Sequence, residues 1–170
     1  MINADQTINV LKLGELSAIP IMLRLALIEN LRRLSIQIAE EITNTSLATR
    51  WADEMIEVAE KDPKNLVLVI ADMARSDPPM ESTFVAELTR RLQEKGSVLT
   101  LPLNWIEQRL YEIGLTSSEL IQVENQMQAA TQVSISNSIS SLRFLSTTNW
   151  RDFVENTSIV EATLRQDIDG

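Results

Sequence analysis

The stretch LSAIPIMLRLALIENLRRLSIQIAEEI, residues 16–42, decides the fold class. Leu16, Ile19, Leu23, Leu27, Leu31, Leu34, Ile38 and Ile42 recur at steps of three and four, which places one continuous apolar stripe along a helix. The spacing predicts a helix over 14–43, and about 29 residues at 1.5 Å each reach roughly 43 Å. Ile21, Leu25 and Ile28 add a second apolar face, so the first half should be buried nearly all round. Pro20 lies close enough to the start to be accommodated there. The apolar run at 18–23 is cut by Arg24, and Glu29, Asn30, Arg32 and Arg33 follow soon after Ile28. A membrane span needs about 20 predominantly apolar residues, so this segment does not supply one. The first seven residues carry Asp5 and no basic flank, which does not read as a signal peptide.

Outward from that helix the pattern stays helical. A second helix is expected over 47–60, with Trp51, Met55, Val58 and Ala59 inward. Asp62-Pro63 then offers an N-cap with proline at the first helical position, opening a helix through Leu66, Val67, Val69, Ile70 and Met73. Asp77-Pro78-Pro79 is a break, and 77–80 is the candidate hinge. Residues 81–95 form the next helix, closed by Gly96, and Leu101-Pro102 opens another that Gly114 ends. Thr116 and Glu119 have capping-box spacing before a long helix whose core face reads as Leu120, Val123, Met127, Ala130, Ile135, Ile139 and Leu142. Alternation over 133–141 also permits a strand, but helical flanks favour helix. Asn149 caps a last helix with Trp150, Phe153, Ile159, Val160 and Leu164. The expectation is an all-α fold: a bundle of about six or seven helices around one long central helix, forming a single helical domain over residues 1–170.

Composition narrows the chemistry. Hydrophobic residues make up 44% and only four glycines occur, which suits a helical globular core. The formal net charge of −9 repels phosphate backbones, so nucleic acid is not an expected partner. With neither cysteine nor histidine, disulfides, Cys/His zinc sites and the usual neutral-pH base are excluded. Asp167-Ile168-Asp169 has the Asp-x-Asp form that holds a metal on nucleotide sugars, but its place at the chain end favours a chance occurrence. Arg50-Trp51 matches the end of a Gln-x-x-Arg-Trp motif, yet position 47 is leucine and Trp51 lies on an apolar face. Asp53, Glu54, Glu57 and Glu60, like Glu40-Glu41, read as solvated surface. No catalytic residue, metal site or cofactor is assigned to this chain.

Two features invite a binding role. Arg24 interrupts the most apolar run, and a buried guanidinium needs a carboxylate or several carbonyls; a buried ion pair or an interface accounts for it. Ser134, Asn137, Ser138 and Ser141 form a small polar stripe at helical spacing. Close helix packing or a surface meeting another domain explains that stripe, and a sugar-binding groove with Trp105 or Trp150 stacking on pyranose rings is the alternative.

Three stretches carry a resemblance. IPIMLRLALIENLRRL at 19–34, LPLNWIEQRL at 101–110, and QVSISNSISSLRFLS at 132–146 with Trp150, Arg151 and Phe153 resemble segments of cyclic β-1,2-glucan synthases, in the family's order. The segments lie upstream of that family's glycosyltransferase module. Ser17, Ser136 and Ser140 depart from the family pattern, where an aromatic and two glycines are expected. The resemblance implies a large bacterial inner-membrane protein that transfers glucose from UDP-glucose to a growing β-1,2-glucan, then cyclises it. Its divalent metal is expected in the glycosyltransferase module, beyond this chain. The chain is then a fragment on the cytoplasmic face of that membrane, a non-catalytic helical scaffold whose partners are other modules of the same polypeptide. The alternative is a glucan-binding module that holds the growing chain, with a homo-oligomer left open. Because a protein-linked glucan implies an acceptor side chain, Tyr111 is a further candidate, for attachment of the first glucose.

Overall fold

The computed structural model describes residues 11–158. Asp167, Asp169, Ile159, Val160 and Leu164 lie outside them. Among the described residues there are six α-helices, two single-turn 3-10 helices and no strand: α1 Leu13–Lys61, α2 Leu66–Arg75, α3 Ser82–Gln93, α4 Thr100–Glu112, α5 Ser117–Thr147 and α6 Trp150–Thr157. The fold is all-α, with one helix of 49 residues. Contacts divide the chain into two compact units, one of residues 35–132 and one made from both chain ends, residues 1–34 with 133–170.

The helices expected over 14–43 and 47–60 are one. Thr43, Asn44, Thr45 and Ser46 read as a break because Ser, Thr and Asn have weak helix propensity and compete for backbone hydrogen bonds. Here the Thr43 hydroxyl donates back to the Ala39 carbonyl at 2.9 Å. Asn44 donates to Glu81 at 3.0 Å, and Ala48 one turn on is fully buried. Tertiary contacts carry the helix through a poor local sequence.

The 35–132 unit holds the main core. Ala48, Ala52, Met55 and Ala59 of α1 meet Leu66, Ile70 and Met73 of α2, Phe84, Leu88 and Leu92 of α3, and Ile106 and Leu110 of α4. On each helix these recur at steps of three or four, the period of a single buried stripe. The turns are built by local chemistry. Asp62 accepts from the Lys64 amide ahead of Pro63. Gly96 and Gly114 take positive φ, 81° and 75°, which a glycine adopts without a Cβ penalty. Thr116 and Glu119 close a reciprocal capping box: the Thr116 amide donates to Glu119 Oε2 at 3.1 Å, and the Glu119 amide to Thr116 Oγ1 at 3.3 Å.

The core face expected on α5 needs correction. Val123, Met127 and Ile139 are exposed, while Glu124, Ser138 and Leu145 are buried. Two of these buried positions are polar, Glu124 in the 35–132 unit and Ser138 in the unit of the chain ends. Burying a carboxylate requires partners. Glu124 accepts from Ser82 at 2.9 Å, Thr83 at 2.8 Å and Gln128 at 2.8 Å, tying the start of α3 to α5.

In the unit of the two chain ends, α1 runs against the second half of α5. Leu16 and Pro20 are buried, with Leu27, Leu31 and Leu34 half-buried. Asn30 donates to Ser138 at 2.9 Å and to Ser134 at 3.2 Å. Asn149 caps α6 through the Asp152 amide. The expectation that this half of α1 is buried nearly all round is overturned: Ile21, Met22, Leu25 and Ile28 are 58%, 66%, 61% and 55% exposed. Leu23 is exposed too, and so is Ile42 in the other unit. Residues 16, 20, 27, 31 and 34 share one side of the helix, whereas 21, 25 and 28 share the opposite side at spacings of four and three. The first side meets α5, and among the described residues the second has no packing partner.

Candidate functional site

The sequence-derived candidates fall in both units. Ser134, Asn137, Ser138, Ser141, Trp150 and Arg24 belong to the unit of the chain ends, and Trp105 belongs to the 35–132 unit. Ser134 and Ser138 face α1, where one asparagine amide bridges both hydroxyls. Their small side chains let the two helices approach, and the hydrogen bonds satisfy buried polar atoms. Ser141 is half-buried and Asn137 is exposed.

Arg24 and Trp150 converge on one atom. The carbonyl oxygen of Leu145 accepts from Arg24 Nη2 at 2.9 Å and from Trp150 Nε1 at 2.7 Å. Leu145 lies in the last turn of α5, where carbonyls lose their intrahelical donors and the helix dipole is negative. A guanidinium there both fills the vacancy and complements the dipole. Among the described residues, a helix end thus gives Arg24 a hydrogen-bond partner. Trp150 also packs edge-on against Phe153, with ring centres 5.4 Å apart at 77°. A shallow cavity of about 430 Å³ beside it is lined by Ser17, Pro20, Val154 and Glu155, among others.

The open face of α1 has a charged border. Glu29 binds Arg32 through two hydrogen bonds of 2.7 and 2.8 Å and Arg33 through one of 3.3 Å. The Arg32 hydrogen bonds, more than Arg33, hold its carboxyl down from 4.5 to about 2. The folded value lies below the unfolded one, so this pairing favours the folded chain above about pH 4.5 and its effect is lost as pH falls toward 2. At neutral pH the rim is fully charged, and the apolar stripe ends on it.

In the 35–132 unit, Trp51 is buried with the Arg50 guanidinium 5.1 Å from its ring centre, a core residue as its apolar position implied. Asp53 accepts from Arg91 at 2.9 Å and Glu60 pairs with Lys95 at 3.5 Å. Trp105 is half-buried and stands at a groove of about 330 Å³ with Asp77, Pro78, Gln108, Arg109 and Glu112. Tyr111 is exposed on the same helix. Among the described residues no group of three or more Asp or Glu could hold a metal ion, and no helix is long and apolar enough to cross a membrane. The sequence singles out Trp105 but not its groove partners, because the polar residues Gln108, Arg109 and Glu112 read as ordinary surface until the 77–78 turn is folded beside them.

Comparison with known proteins bears out the resemblance seen in the three stretches. The chain is 32% identical over 169 residues, 99% of its length, to the cyclic beta-(1,2)-glucan synthase NdvB of Rhizobium meliloti (strain 1021). It spans 6% of that protein. No protein-family model matches the chain, and no solved structure does.

Proposed function

We propose that this chain is a non-catalytic helical interaction segment of a cyclic β-1,2-glucan synthase, docking other modules of the same polypeptide through the open face of α1. The observation that carries the reading is the exposed stripe of Ile21, Met22, Leu25 and Ile28. Grouped apolar side chains of this size on a surface mark a place where something else packs. The similar synthase is far longer than this chain, which matches 6% of it, so most of such a polypeptide is available to cover the stripe. The charged rim of Glu29, Arg32 and Arg33 would fix the orientation of the contact.

In this reading the transfer of glucose from UDP-glucose, and the divalent metal that serves it, belong to another module of the parent protein. The segment would sit with that module on the cytoplasmic face of a bacterial inner membrane. The isolated chain is therefore expected to release no UDP from UDP-glucose, with or without magnesium or manganese. Turnover above that of a heat-denatured control would overturn the non-catalytic assignment.

A further inference from the structure

The groove around Trp105 is a built site of a different kind from the open apolar stripe. Trp105, Gln108, Arg109 and Glu112 recur at steps of three, one and three along α4, which places them on one side of the helix. Pro102, Ile106 and Leu110 occupy the buried side. The facing wall is the turn after α2, where Asp77 holds a positive φ of 46° and Pro78 is buried. Arg109 lies between two carboxylates, 3.0 Å from Glu112 and 3.9 Å from Asp77. The volume, about 330 Å³, is at the small end of the roughly 300–1,000 Å³ typical of small-ligand sites.

We propose that this groove binds a neutral saccharide, with Trp105 as the stacking platform and Asp77, Gln108, Arg109 and Glu112 as the hydroxyl-binding set. A pyranose ring presents apolar C–H faces to an indole while its edge carries hydroxyls that both donate and accept. The groove matches that pattern. Trp105 supplies the ring, Asp77 and Glu112 accept, Arg109 donates, and Gln108 does both. Two carboxylates against one guanidinium leave the groove net negative in a chain of net charge −9, which selects against phosphate-bearing ligands. Arg109 pairs with both carboxylates, so neither stands ready as the sole counter-ion of an organic cation. The inference stands on α4 and the 77–78 turn alone and does not depend on the docking role of α1.

The test follows the three indole N–H signals of the full chain by NMR, since it contains three tryptophans. Glucose disaccharides with β-1,2, β-1,3 and β-1,4 linkages are titrated to about 20 mM, a range that reports even millimolar binding. The expected result is a saturable shift of the Trp105 signal, with the Trp51 and Trp150 signals unmoved. Trp105→Ala should weaken binding about tenfold or more, read from backbone amides of α4. Glu112→Gln, at a solvent-facing position that leaves the core untouched, should weaken it severalfold while the chain keeps its melting temperature. Three results would overturn the proposal: no shift at Trp105 with any disaccharide, an equal shift at Trp150, or an equal response of Trp105 to choline or UDP. A null result here leaves the α1 stripe untouched, because that face is read through different residues.

Discussion

Phe84→Ala is expected to destabilise the 35–132 unit by about 3–5 kcal/mol, the range for deleting a buried aromatic ring. Phe84 is fully buried and heads the stripe that Leu88 and Leu92 continue on α3, against Met55 of α1. The surrounding side chains belong to four helices and cannot all move to fill the space, so the cavity cost adds to the lost transfer energy. A domain typically holds about 5–15 kcal/mol of stability in total, so the variant should unfold at markedly lower urea concentration, or fail to fold at 37 °C. Urea titration followed by far-UV circular dichroism measures it. A loss under about 1 kcal/mol would mean that α3 does not pack on α1 as described.

The second large effect is on assembly. The double variant Ile21→Glu, Leu25→Glu should leave the fold of the isolated chain nearly unchanged, because both side chains already face solvent and surface substitutions usually stay within about 0.5 kcal/mol. In a full-length synthase it should abolish or sharply reduce the contact between this segment and the rest of the polypeptide. Burying two carboxylates in an apolar contact costs several kcal/mol. Expressing the segment and the remainder as separate chains and measuring their association reads this out. Unchanged association would remove the stripe from the interface. Concentration-dependent dimerisation of the isolated chain that the double variant abolishes would make a second copy the occupant and overturn the docking proposal.

Much of the fold was legible in the residues. The caps at Asp62, Thr116 and Asn149 and the glycine ends at 96 and 114 are local chemistry, and each is used as its sequence implies. The four-residue period of Phe84, Leu88 and Leu92 marks the buried side of α3, whereas Val67 and Leu68 on α2 are apolar and exposed, so apolar character alone does not mark its buried side. The misreadings have a common physical source. Residues 43–46 look like a break because propensity is local, while Asn44 reaches Glu81 thirty-seven positions away. The inward face of α5 was misplaced because Glu124 and Ser138 are polar, and only their partners from α3 and α1 make them core residues. The first half of α1 has apolar residues on two sides, and periodicity cannot say whether both sides have neighbours. The end of α5 that Arg24 caps lies 121 residues away in the chain, beyond the reach of any local pattern.

Hydrogen exchange of the backbone amides over residues 18–31, compared between the isolated chain and a full-length synthase carrying it, tests the central claim most directly. An interaction segment predicts that these amides exchange more slowly by tenfold or more in the full-length protein, with the change centred on Ile21, Leu25 and Ile28. Equal exchange in the two contexts would contradict it.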